Sequence, residues 1–257
     1  MGFDRIHFAA STAPSAQEAL TAMIARYGQA PAAQADVIVA LGGDGFMLHM
    51  LHDTLHLAAP VYGMNRGSVG FMMNDFAVEG LHERLEEAER ATILPLRMKA
   101  TTVNGLVTEA LAINEVSLLR MTFQAAKLRI SVDGRERMRE LICDGALIAT
   151  PAGSTAYNLS AHGPILPIES KLMALTPISA FRPRRWRGAV LPQEAVVTID
   201  VLEDSKRPVL AVADSTEVRQ VSQVEVSFHQ KTEINLLYDT GHGLNERILK
   251  EQFLAEG

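Results

Sequence analysis

The stretch that most constrains this 257-residue chain is Val37-Ile38-Val39-Ala40-Leu41, apolar at every position and broken at once by Gly42-Gly43-Asp44-Gly45. A β-branched run without polar alternation suits a strand buried on both faces, the environment of a parallel sheet covered by helices. Its flanks agree. Residues 6–9 read as a first strand, and 16–27 carry Ala19, Leu20, Met23 and Ile24 on one helical stripe. Residues 46–57 resume a helical pattern, 61–64 read as another strand, and 79–89 as a charged amphipathic helix. Strands and helices in this alternation predict an open α/β domain.

After Leu94-Pro95 two-residue alternation takes over, at 98–103, 111–119, 127–132, 195–202, 209–213 and 224–228. Asn104-Gly105 and Asp133-Gly134 are hairpin dipeptides between such runs. The expected fold class is therefore α/β plus β: an N-terminal Rossmann-like domain over 1–94, then a mainly antiparallel β domain over 95–235. A tail over 236–257, with a helix candidate at 245–254, is expected to pack back on the first domain.

Composition removes several classes. With 24 Lys+Arg against 30 Asp+Glu the net charge is −6, which disfavours broad electrostatic binding of nucleic acid. Cys143 is the one cysteine, so no intrachain disulfide can form and a cysteine-based zinc site is excluded. No stretch approaches the ~20 apolar residues of a membrane span, and no secretory signal opens the chain. A cytoplasmic protein is expected.

The loop Gly42-Gly43-Asp44-Gly45 ends a strand and opens a helix. Glycines there allow positive φ and close approach of backbone to a ligand, and helix N–H groups point at whatever sits in front of them; a phosphate suits. Neither G-x-x-x-x-G-K-[ST] nor G-x-G-x-x-G occurs, so a P-loop and a hydride-transfer fingerprint are both missing. Asp44 is the informative member, because a carboxylate repels a phosphate unless it performs chemistry or a metal stands between them. On this motif alone, a plain turn capping a helix remains equally open.

A second cluster adds weight. Asn114-Glu115 lies in the middle of the strand expected at 111–119, where paired polar residues are costly unless they meet a ligand or each other. Residues 144–165 read DGALIATPAGSTAYNLSAHGPI, a strand running into a small-residue loop rich in hydrogen-bonding groups, with Tyr157 able to stack on a base. GGDG, then NRGSVGF, then NE, then this long run, in that order and at these separations, resembles the NAD kinase family over residues 37 to about 215. GGDG alone also resembles diacylglycerol-type lipid kinases and phosphofructokinases; the run 144–165 separates them.

The resemblance implies a two-domain enzyme with its site in the cleft between domains. Such an enzyme transfers the γ-phosphoryl of ATP, or polyphosphate in some members, to the 2′-hydroxyl of the adenosine ribose of NAD, giving NADP. It implies Asp44 as the group that orients that hydroxyl and accepts its proton. Gly42, Gly43, Asn65, Gly67 and Gly70 are implied as the phosphate loop, and Gly45 and Phe71 as lying against the dinucleotide. Asn114 and Glu115 would bind ribose hydroxyls, and Asp144 the nicotinamide carboxamide. Thr155, Ala156, Tyr157 and Ser160 would surround the adenine, and Asp214 matches a late aspartate turn of the family. Mg²⁺ would arrive with ATP, so no all-protein metal cage is expected. Neighbouring subunits complete the site in the family, which implies a homodimer or homotetramer. Three departures stand out: Phe46 where many relatives carry Thr, His162 where glycine is common, and Ser215 after Asp214. The alternatives are a lipid kinase of the diacylglycerol type, disfavoured by the 155–157 region, and a non-catalytic dinucleotide-binding regulator, which would not need Asp44.

His49, His52 and His56 share one helical face, where a metal site is conceivable; with Asp53 pointing elsewhere and no acidic partner evident, core or interface residues are expected instead. The basic run Arg182-Pro183-Arg184-Arg185-Trp186-Arg187 suits substrate phosphates, a subunit neighbour or a solvated loop.

Overall fold

The computed structural model describes residues 2–57, 59–67, 70–241, 243, 246, 247 and 249. The chain divides into two compact units, residues 1–93 with 233–257, and residues 94–232.

In the first unit the chain runs β1 (Ile6–Ala10), α1 (Pro14–Tyr27), β2 (Val37–Gly42), α2 (Asp44–Thr54), β3 (Val61–Asn65), α3 (Leu81–Glu87) and β4 (Glu89–Ile93), and the late strand Ile234–Tyr238 completes it. β1, β2, β3 and the late strand are parallel neighbours in that order, with β4 antiparallel at the edge. Every residue of β2 is buried. Val37, Val39 and Leu41 join Ala19 and Met23 of α1 and Leu81 and Leu85 of α3 in one cluster, while Ile38 and Ala40 point to the opposite face by the two-residue period. Each of the valine, leucine, isoleucine and methionine side chains among these contributes about 1.5–3 kcal/mol of burial. Pro14 suits the first turn of α1, where no N–H is needed, and Gly28 ends it at φ 78° with its N–H on Ile24 O at 2.9 Å.

The helix expected at 79–89 is shorter. Ala88 turns extended, and Glu89 opens β4 opposite Tyr238. Tertiary pairing with the late strand overrides the helical periodicity there. The domain boundary expected at 235 falls inside that late strand. It is held by Asn74, whose Nδ2 donates to Gly63 O at 3.0 Å and Leu237 O at 3.1 Å, and by Asp239, which accepts from Tyr62 and Arg84. The tail helix expected at 245–254 lies largely outside the described residues.

In the second unit β5 (Leu96–Thr102), β6 (Val107–Ala112), β7 (Glu115–Arg120), β8 (Ala126–Val132), β9 (Arg135–Cys143) and β10 (Gly145–Ala149) are followed by a 3₁₀ turn (Ala152–Thr155) and α4 (Tyr157–Ser160). Then come β11 (Leu172–Ile178), β12 (Ala189–Pro192), β13 (Val197–Val201), β14 (Val209–Ala213), β15 (Thr216–Val218) and β16 (Val221–Phe228). They form two six-stranded antiparallel sheets, ordered β12-β11-β10-β7-β14-β15 and β6-β5-β16-β13-β8-β9. One apolar cluster spans both, with Leu118, Ala146 and Ile148 from the first and Leu128, Ile199 and Val224 from the second. β8 alternates buried and half-buried side chains, as a sandwich strand should. β10 is buried throughout, because Leu147 and Ala149 on its other face pack under Leu166 and Ala174. The Asp133-Gly134 turn closes β8 onto β9 with φ 52° and 72°, the left-handed pair that a two-residue hairpin of this twist requires. No helix among the described residues is long and apolar enough to cross a membrane.

The single strand expected at 111–119 is two strands. β6 ends at Ala112, β7 begins at Glu115, and Ile113-Asn114 sits at the joint rather than mid-strand. Its cause is Asp214, whose carboxylate takes the N–H groups of Ile113 (2.6 Å), Asn114 (3.0 Å) and Glu115 (3.2 Å) in place of a ladder partner.

Candidate active site

β2 delivers the glycine bend to the N-terminus of α2, where Gly43 is the N-cap and Asp44 the first helical residue. The glycines do not serve by positive φ: Gly42, Gly43 and Gly45 all lie outside the left-handed region. Gly42 is needed for space, since a Cβ there would meet the Phe46 ring at 2.8 Å, and around Gly45 a Cβ would find open space. Departure from Thr at position 46 thus places an aromatic ring against the bend. Gly67 stands beside it, with its Cβ position 3.5 Å from Gly43 Cα. Asn65 Oδ1 accepts the Gly67 N–H at 2.8 Å, and Arg66 N donates to Gly42 O at 2.6 Å. The bend and the loop after β3 are therefore knitted together. Ser68 and Val69 of that loop lie outside the described residues.

Asp44 occupies the centre of this corner. Its Oδ2 accepts the N–H of Phe71 at 2.7 Å and its Oδ1 that of Met72 at 2.8 Å. Among the described residues no cation pairs with it. A carboxylate has about four lone-pair sites, so two remain to engage a hydroxyl or a hydrated cation. α2 adds the N–H groups of its first turn, which a helix leaves without internal partners, and the positive end of its dipole. Arg247, to which the sequence drew no attention, donates from one nitrogen to the carbonyls of Gly70 (3.0 Å) and Phe71 (3.2 Å).

In the second unit the expected residues fall into one neighbourhood. Asp214, at φ 48°, binds three successive backbone N–H groups and so aims Asn114 and Glu115. Thr150 straps the same joint from the other side, its Oγ1 donating to Ile113 O at 2.7 Å and accepting from Gly153 N at 3.0 Å. Glu115 is largely buried, with Oε2 unpartnered; burial, then the charge of Asp214, pushes its carboxyl up to about 7. Tyr157 feels burial and then Glu115 and Asp144, which raise its phenol and place all three groups within one field.

Loop 150–165 is stiffened from inside. Buried Asn158 donates to Ser154 O (3.0 Å) and Pro164 O (2.9 Å) and accepts from Thr176 Oγ1 at 2.7 Å. Asn158 faces inward, so its neighbours Tyr157 and Ser160 face outward, lining a cavity of about 310 Å³ together with His162, Arg184, Trp186 and Arg187. The basic run thus opens onto the cavity that Tyr157 and Ser160 line. His162 adopts φ 61°, which accounts for glycine being suited to that position. Thr155 and Ala156 are half-buried at the turn into α4. Asp144 is held by Arg120 Nε at 2.6 Å, a partner that only the β7–β10 register reveals.

Two of the three histidines are not core residues, and one of them has the acidic partner that was not expected. His49 and His56 are exposed, helix α2 ends before His56, and His49 does have an acidic partner, Asp53 at 3.3 Å. No group of three or more metal-ligating side chains occurs among the described residues.

The family model described as the ATP-NAD kinase N-terminal domain matches residues 7–90, and that of the ATP-NAD kinase C-terminal domain residues 113–236. A protein named NAD kinase from Cereibacter sphaeroides is 61% identical over 250 residues, covering 97% of this chain and 98% of its own. One from Caulobacter vibrioides is 60% identical over 251 residues, covering 98% and 96%. Among solved structures, yeast NADH kinase complexed with NADH aligns at a TM-score of 0.83 and 20% identity, over 100% of this chain and 90% of that one. An NAD kinase from Archaeoglobus fulgidus in complex with ATP aligns at 0.72 and 23%, over 96% and 98%. Those two likenesses concern the fold; the family follows from the matched domains and the identity over nearly the whole length, and by both this chain belongs to the NAD kinase family of phosphotransferases.

Proposed function

We propose that this chain transfers the γ-phosphoryl group of ATP to the 2′-hydroxyl of the adenosine ribose of NAD, yielding NADP and ADP, with Asp44 as general base. The observation that carries the reading is the state of Asp44, fixed by two backbone N–H groups yet unclaimed by any described cation. A ribose hydroxyl is a poor nucleophile at neutral pH. A carboxylate that holds it in line and takes its proton as the P–O bond forms contributes typically 10²–10⁴-fold. The proton passes from the 2′-oxygen to Asp44, and the bond from the γ-phosphorus to the bridging oxygen breaks as ADP leaves. Positioning supplies most of the rest.

The glycine bend, Asn65, Gly67 and Gly70 would receive phosphates at the N-terminus of α2. Asn114 and Glu115 would hold ribose hydroxyls, while Tyr157, Thr155, Ala156 and Ser160 would surround the base. Asp214 is assigned to aiming Asn114 and Glu115 rather than to touching the dinucleotide, because its carboxylate already serves three N–H groups. Asp144, tied to Arg120, is assigned to the nicotinamide end, and Gly45 and Phe71 flank the dinucleotide.

ATP use implies a divalent cation, here assigned as Mg²⁺. Mg²⁺ keeps several waters and binds through nucleotide phosphates and one or two carboxylates. Asp44, with lone pairs left over beside the phosphate-receiving bend, fits that mode. When bound, the ion neutralises phosphate charge. The chain is assigned to the cytoplasm as a homo-oligomer.

The test is purified protein with ATP, Mg²⁺ and NAD, with NADP followed through a coupled dehydrogenase. Parallel reactions with polyphosphate as donor and NADH as acceptor fix the substrate range. Absence of NADP alongside phosphorylation of a lipid acceptor would overturn the reading in favour of a lipid kinase.

A further inference from the structure

We propose that Arg247 is a positioning residue for Asp44, acting through two consecutive peptide groups. The proposal rests on the reading of Asp44 as the base.

One guanidinium nitrogen of Arg247 donates to Gly70 O at 3.0 Å and to Phe71 O at 3.2 Å. The Gly70 carbonyl belongs to the same peptide group as the Phe71 N–H, and the Phe71 carbonyl to the same group as the Met72 N–H. Those two N–H groups are the ones that end on Asp44 Oδ2 and Oδ1. Each peptide is therefore bonded at its oxygen to a cation and at its nitrogen to an anion, with its dipole aligned between them. Hydrogen bonds to ionised partners are roughly twice as strong as neutral ones, and each member of such a chain polarises the next. Arg247 and Asp44 thus form an ion pair relayed through the loop, without touching.

Three further features fix the relay. The Arg247 guanidinium carbon lies 5.5 Å from the centroid of the Tyr238 ring. That ring ends the late strand and is 1% exposed, a rigid platform. The Tyr238 phenol is raised by burial, then pulled down by Arg247 and up by Asp44, so both charges reach the same buried ring. At Gly70 a Cβ would meet Met73 Cβ at 2.8 Å and Asn65 Cγ at 2.9 Å, so the loop backbone is packed with no side chain to spare. Releasing the two carbonyls frees the peptides to rotate, and with them the carboxylate that must meet the ribose hydroxyl in line.

The experiment compares Arg247→Met, Arg247→Lys, Asp44→Asn and the Asp44→Asn/Arg247→Met double variant in steady-state NAD kinase kinetics. NAD affinity by calorimetry and a thermal melt are measured on each protein. Arg247→Met is expected to lower kcat about 10- to 100-fold with KM for NAD within about twofold, the scale of a misplaced reacting group. Because a single nitrogen serves both carbonyls, Arg247→Lys is expected to recover most of that loss. In the Asp44→Asn background Arg247→Met is expected to add nothing, since nothing remains to be positioned. A kcat for Arg247→Met within twofold of wild type, beside a crippled Asp44→Asn, overturns the proposal alone. So does an Arg247→Met loss that persists in full in the double variant, which marks a structural role. Should Arg247→Met fail to fold, Arg247→Lys decides: turnover as low as that of Asp44→Asn, in a folded protein, overturns the proposal. Near-wild-type turnover by Asp44→Asn overturns the reading of Asp44, and the proposal with it.

Discussion

Glu115 and Asp214 are held against each other by the backbone between them: Asp214 Oδ1 accepts the Glu115 N–H at 3.2 Å, and Glu115 Oε2 lies buried with no hydrogen-bond partner. A carboxyl group out of water in the field of a second carboxylate resists ionisation. Burial and then Asp214 push Glu115 from an ordinary 4.5 up to about 7. In the folded chain Glu115 keeps its proton to about pH 7, whereas the unfolded chain releases it near 4.5. Between those values the folded state binds more protons, so stability falls as pH rises, and the whole cost is present above pH 7. Glu115→Gln is expected to be flat through that window and more stable than wild type at pH 8, by roughly 3 kcal/mol at most. Urea midpoints from pH 5 to 8 check this; parallel curves for the two proteins would remove the coupling.

Asp44→Asn is expected to lower turnover about 10²–10⁴-fold while NAD affinity stays close to wild type. An amide can accept from one of the two loop N–H groups but presents a donor to the other, so the variant is also expected to lose about 1–3 kcal/mol of stability. Calorimetric NAD binding beside kcat separates the two effects. An affinity loss as large as the turnover loss would make Asp44 a binding group.

At Gly153 a Cβ would sit 2.1 Å from Asn114 O and 2.6 Å from Asn114 Cα. Backbone cannot move aside as a flexible side chain can. Gly153→Ala is therefore expected to cost about 1–3 kcal/mol or more and to raise KM for NAD by displacing Asn114. An unchanged KM in a destabilised protein would separate loop 150–165 from NAD recognition.

Asn158→Asp replaces a donor facing two carbonyls, Ser154 O and Pro164 O, with an acceptor. Residue 158 is fully buried, so the repulsion finds no water to relieve it. A loss of about 3 kcal/mol or more is expected, with new proteolytic cutting between residues 150 and 168. Wild-type resistance to protease would show that the loop does not depend on Asn158.

Much of this site was legible in the chain itself. A β-branched apolar run ahead of Gly42 suits a strand covered on both faces, and Gly42 itself marks a close approach although its φ is not positive. Asp133-Gly134 dictated its hairpin because only residues tolerant of left-handed backbone make that turn. The run 144–165 told the NAD kinase family from its lipid-kinase look-alikes by resemblance, and the two matched domains bear that out.

What sequence by itself determined, then, were the features whose cause is local: strand burial from hydrophobic pattern, turns from backbone freedom, and the identity of the chemical groups on offer. Only the tertiary structure decided what Asp44, Asp214, Arg120 and Arg247 bind, where 111–119 breaks, and that Ile234–Tyr238 returns to the first sheet. Each of those depends on partners tens to nearly two hundred residues away in the chain. A hydrogen bond is read from distance and direction, and a one-dimensional string carries neither.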